Sequence, residues 1–87
     1  MTRDVLLSDR AQREFGRLPS IVRQRIRKAL VEFASTGRAD LKRLVGTRGR
    51  EDLFRLRVGE YRVVFALTET EIRVTRIIHR SEGYDWL

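Results

Sequence analysis

Residues 53 to 65, Leu53-Phe54-Arg55-Leu56-Arg57-Val58-Gly59-Glu60-Tyr61-Arg62-Val63-Val64-Phe65, constrain the fold more than any other stretch. Each half fits a strand, and Gly59-Glu60 between them has the length and composition of a two-residue hairpin turn. That turn fixes the register, with Val58 opposite Tyr61, Leu56 opposite Val63 and Phe54 opposite Phe65 on one side of the sheet. On the other side Arg57 then stands directly opposite Arg62. Like charges facing each other across a ladder cost roughly 0.2–1 kcal/mol, so stability alone gives no reason to place them there. A polyanion would supply the counter-charge, and the arginine row is expected to have no carboxylates beside it.

The remaining elements assemble around this hairpin. Val5-Leu6-Leu7 fits a short first strand, and Ser8 is placed to cap a helix begun by Asp9. Ala11, Phe15 and Leu18 recur at helical spacing until Pro19 ends the pattern. A second helix from Pro19 or Ser20 aligns Val22, Ile26, Ala29, Leu30 and Phe33 in one stripe, with Gly37 as its C-terminal cap. So short a link makes the two helices an antiparallel hairpin lying on one face of the sheet. Residues 38 to 49 read as a turn-rich crossing that ends near Arg48 and Arg50.

After the polar turn Thr68-Glu69-Thr70, residues 72 to 78 resume as a strand rich in β-branched residues. Register carried over that turn sets Val74 beside Phe65 but Arg76 beside Val63, where an apolar core would reject the cation. Either the turn differs by one residue or a bulge between Val74 and Ile78 re-phases the strand. The face taken by His79 stays open. The predicted architecture is α+β, a single domain over residues 1–87 in the order βααβββ, with an antiparallel sheet and a helical hairpin packed on one face.

A net charge of +7 and a pI near 11.2 suit a nucleic acid, an anionic lipid surface or an acidic protein as partner. All the basic residues except Lys28 and Lys42 are arginine, whose planar fork favours bidentate phosphate contacts. With no cysteine, disulfides, a thiolate nucleophile and finger-type zinc sites are excluded. No metal or cofactor is expected. The apolar stretch near Met1 is too short for a signal peptide and nothing later approaches a membrane span, so the reducing cytoplasm is the expected compartment.

Chemistry concentrates in the tail, His79-Arg80-Ser81-Glu82-Gly83-Tyr84-Asp85-Trp86-Leu87. Aromatic rings beside arginines are the usual equipment for stacking single-stranded RNA bases. Trp86 fits that role or packs over a core edge, and Tyr84 divides evenly between the two. Imidazole is the side chain whose ordinary pKa lies nearest neutrality, so proton transfer would most simply use His79, the only histidine. No serine has a nucleophile setting and no phosphate-binding glycine loop is present.

The run Leu56 to Phe65, the later Ile78-His79-Arg80-Ser81-Glu82-Gly83-Tyr84 and the Phe15…Leu18-Pro19…Val22…Ile26 helix pair together resemble the RelE/ParE toxin superfamily. The resemblance implies a small toxin held inactive in a hetero-oligomer by an acidic, RelB-like antitoxin. RelE-like members enter the ribosomal A site and cut messenger RNA without metal, by attack of the ribose 2′-oxygen on the adjacent phosphate. ParE-like members poison DNA gyrase, and a noncatalytic or degenerate toxin acting as a binding module is the third alternative.

Carried over residue by residue, the resemblance assigns Arg62 to the developing phosphorane charge and Arg55 to a second catalytic cation. It places Arg80 near the leaving group, Tyr84 against the cleaved nucleotide and His79 as an alternative acid. Arg57 follows on the same face as a phosphate-steering residue, with Arg48, Arg50 and Trp86 as further nucleic-acid contacts. Leu53 stands where RelE has its first catalytic lysine, which leaves the general base unidentified.

Overall fold

The Gly59-Glu60 turn joins its two strands in the register its length dictates. A computed structural model describes residues 2–44 and 52–83. The order is β1 (Asp4–Leu7), α1 (Asp9–Gly16), α2 (Ser20–Thr36), β2 (Leu41–Arg43), β3 (Leu53–Val58), β4 (Tyr61–Leu67) and β5 (Glu71–His79). Between β3 and β4, Phe54 faces Phe65, Leu56 faces Val63, Arg57 faces Arg62 and Val58 faces Tyr61. Gly59 takes φ 56°, a left-handed conformation that a side chain would resist.

Two features differ from the sequence reading. A fifth strand, β2, pairs antiparallel with β3 where a turn-rich crossing was expected. The sheet is also mixed, because β1 lies parallel to β5 at one edge and gives the order β1-β5-β4-β3-β2. A parallel neighbour requires a crossover, and the α1–α2 pair supplies it. The α+β architecture with both helices on one face stands.

The conflict at Arg76 is resolved by a bulge. The β4–β5 register shifts between Val64 and Phe65, so Val74 faces Phe65 while Ile77 faces Val63 and Arg76 faces Val64. The extra residue, Thr75, donates its hydroxyl to the Val64 carbonyl at 3.3 Å. One inserted residue thus returns Ile77 to the core and keeps the cation out of it.

Ser8 caps α1 by accepting from the Ala11 amide at 3.1 Å, and Gly37 closes α2 at φ 70°. Both helices deliver their apolar stripes to the sheet. Ala11, Ile26, Leu30, Phe33 and Ala34 bury against Leu56, Val63, Phe65, Ile72, Val74 and Ile77. At the centre the Phe65 ring lies 5.4 Å from Phe33 and 5.8 Å from Phe54. No helix among the described residues is long and apolar enough to cross a membrane.

Candidate functional site

The face turned away from the helices is built differently. Strand alternation sends Leu53, Arg55, Arg57, Arg62, Val64 and Ile78 to that side. Val64 and Ile78 bury with Leu44 and Leu53 as a small second cluster, an apolar platform within an otherwise cationic surface. Arg57 is exposed and Arg62, directly opposite it, is half-buried. No carboxylate among the described residues lies within ion-pair distance of Arg57.

The expected row of arginines without carboxylates fails at Arg55. Its Nη1 lies 3.5 Å from Asp40 Oδ1 and 3.4 Å from the Asp40 carbonyl, with the side chain only 17% exposed. The cause is the strand that the sequence reading missed. β2 runs beside β3 and sets Asp40 just ahead of it, where its carbonyl also accepts from the Arg57 amide at 3.2 Å.

Other sheet arginines are likewise compensated. Arg80 Nε pairs with Glu60 Oε2 at 2.6 Å, Arg73 with Glu71 at 2.9 Å and Arg43 with Asp52 at 2.8 Å. Arg76, 8% exposed, reaches past the edge of β5 to Glu14 of α1, its Nε and Nη2 each 3.0 Å from Glu14 Oε2. Glu14 also accepts from the Ile77 amide at 2.9 Å, so one carboxylate joins helix to sheet beyond the end of β1. From residue 52 to 83 six basic residues meet five acidic ones, whereas residues 9–36 carry seven against three. Residues 37–51 carry a further five against two, so the excess charge gathers on the helix pair and on the segment that follows it, while from β3 to β5 it is nearly balanced and Arg57 is the local exception.

His79 takes the opposite face from that rung. It pairs with Tyr61 across the ladder, and the two rings meet edge-on at 5.2 Å on the helix side. Glu14, Arg76 and Glu82 were not singled out from the sequence as structural partners. The Glu14 contacts with Arg76 and Ile77 span 62 and 63 positions and leave no local pattern to read. The candidate residues Arg48, Arg50, Tyr84 and Trp86 lie outside the described residues. Among the described residues no group of His, Cys, Asp and Glu could hold a metal ion.

The sequence model of the ParE toxin family of type II toxin–antitoxin systems matches residues 5–84. The chain belongs to that family. As a RelE/ParE superfamily toxin it shares its fold with solved structures from both archaea and bacteria. The archaeal RelE–RelB complex of Pyrococcus horikoshii matches with TM-score 0.76 and 24% identity over 95% of this chain and 100% of that one. The RelBE2 complex of Mycobacterium tuberculosis gives 0.77 and 20% over 92% and 100%. The intact E. coli RelBE toxin–antitoxin complex gives 0.65 and 26% over 86% and 93%. No curated protein sequence matches the chain.

Proposed function

We propose that this RelE/ParE toxin is a ribosome-dependent endoribonuclease that cleaves messenger RNA in the A site by metal-free attack of the 2′-oxygen on the adjacent phosphate. The single observation that carries this reading is the Arg57–Arg62 rung, two guanidinium groups placed opposite each other on the helix-free face. A phosphate backbone across that rung turns a local repulsion into two charge-assisted contacts. Arg62 stabilises the phosphorane charge and Arg57 holds the neighbouring phosphate. Arg55 and Arg80 enter the site already paired with Asp40 and Glu60, so RNA must compete with those carboxylates for them.

The neutralising partner in this reading is an acidic antitoxin, RelB-like as in the complexes the fold matches, and the toxin works in the cytoplasm where ribosomes are. Its acidic residues suit the helix pair, where much of the excess positive charge lies. A gyrase-directed toxin is the second reading. It is favoured by the match to the ParE family and by the separation of His79 from the arginine rung.

Induction in cells, with message ends and plasmid topology read in parallel, tests the two. Wild type gives messages cut within codons on translating ribosomes, and Arg62→Ala abolishes the cuts. Intact messages with double-strand DNA breaks and relaxed plasmid would establish the gyrase reading instead.

A further inference from the structure

At the end of β5 the 79–82 turn carries three exposed residues, Arg80 to Glu82, yet it is closed by several hydrogen bonds. Glu82 donates its amide to the His79 carbonyl at 2.9 Å and returns Oε1 to the His79 amide at 3.2 Å. Arg80 extends the β4–β5 ladder by one rung, its amide donating to the Glu60 carbonyl at 2.8 Å while its guanidinium pairs with the Glu60 carboxylate. The Ser81 amide donates to His79 Nδ1 at 3.2 Å, a contact that uses the lone pair of that nitrogen. Ser81 Oγ lies 2.8 Å from the same nitrogen.

His79 Nδ1 is thus the acceptor on which the middle of the turn closes. The ring itself is held by Tyr61, edge-on at 5.2 Å. Around it stand Glu82, hydrogen-bonded to its amide, Arg76 at 4.0 Å from Glu82, and the Glu60–Arg80 pair on the next rung. Arg25 lines the shallow pocket on the helix side of Tyr61 and Glu60. Such a network fixes an exposed turn far more firmly than chain connectivity would. What the turn presents is Arg80.

We propose that His79 is a positioning residue rather than the proton donor or acceptor of the reaction, and that it acts by closing the 79–82 turn through Ser81 so that Arg80 is presented in one orientation. This rests on the endoribonuclease reading above. The ring lies on the side of the sheet away from Arg57 and Arg62. Nδ1, the nitrogen that could take up a proton, is already engaged by Ser81. Its contribution is therefore orientation, which for a misplacement near 1 Å is worth about a hundredfold in rate.

Two substitutions separate acceptor from acid. In His79→Asn the side-chain oxygen can still accept from the amide two residues on, as Asn does in Asx-turns, but it transfers no proton at physiological pH. His79→Phe keeps a ring against Tyr61 and loses the acceptor. With the full-length toxin on programmed ribosomes, His79→Phe lowers kcat about a hundredfold with KM little changed. It also speeds Ser81 amide exchange about tenfold, the effect of losing one hydrogen bond. His79→Asn stays within about tenfold of wild-type kcat, keeps the wild-type pH profile and retains Ser81 protection.

A His79→Asn variant as inactive as His79→Phe, with Ser81 protection intact, would overturn the proposal in favour of proton transfer. Wild-type activity in His79→Phe would overturn it equally. If wild type itself cuts no message, the endoribonuclease reading fails separately. Ser81 exchange and growth arrest on induction then still rank Asn above Phe if the positioning role holds, and rank them equal if it does not.

Discussion

The two faces of the sheet obey different rules. On the helix side Leu56, Val63, Phe65, Ile72, Val74 and Ile77 are each buried, and apolar burial accounts for all of them. On the other side a platform of Leu44, Val64 and Ile78 shares the surface with Arg57 and Arg62 facing each other across one rung. Burial explains the platform, but not the rung. A position that lowers stability in isolation is expected where another molecule completes the structure, and the proposed RNA site is read from that contrast.

The helix-side account breaks most directly at Phe65. Phe65→Ala removes a fully buried ring from between Phe33 and Phe54 and should cost about 4 kcal/mol in denaturant unfolding. A loss below about 1 kcal/mol would mean that the core is less specifically packed than the contacts indicate. Glu14→Leu comes next. It leaves the buried Arg76 guanidinium without its main counter-charge and should cost about 3 kcal/mol, with most of the loss recovered in Glu14→Leu/Arg76→Met. That double variant sharpens the comparison, since it shows whether an arginine on the open side is held for stability or merely tolerated.

A smaller effect is expected at the hairpin tip. A Cβ on Gly59 would meet no atom within 4 Å, so Gly59→Ala costs only the left-handed backbone, about 1 kcal/mol by chemical denaturation. A larger cost would show that the turn also holds the arginine rung in place through contacts beyond its own backbone.

The hairpin register was legible because a two-residue turn permits little else, and apolar residues facing each other confirm the phase. The misfit that the bulge repairs was legible for the opposite reason, although a turn of different length remained the alternative. Arg76 opposite Val63 was physically unacceptable, and the structure inserts Thr75 where one extra residue repairs the conflict. Strand β2 was not legible, since Leu41-Lys42-Arg43 is too short to show a period and is specified by its partner β3. Missing it also hid Asp40, and with it the pairing of Arg55. The parallel placement of β1 was equally hidden, because Val5-Leu6-Leu7 reads the same in either direction. In the candidate site, Arg57 and Arg62 came directly from strand alternation. The face of His79 depends on the bulge upstream of it, which strand alternation alone leaves undecided.

The central claim is that the Arg57–Arg62 rung serves a polyanion rather than the fold. Arg57→Gln tests it in one protein, by unfolding free energy and by single-stranded RNA affinity across a salt series. The account predicts stability equal to wild type or higher by up to about 0.5 kcal/mol, together with a log affinity versus log salt slope shallower by about 0.7, the value of one phosphate contact. An unchanged slope, or a stability loss above about 1 kcal/mol, would contradict it.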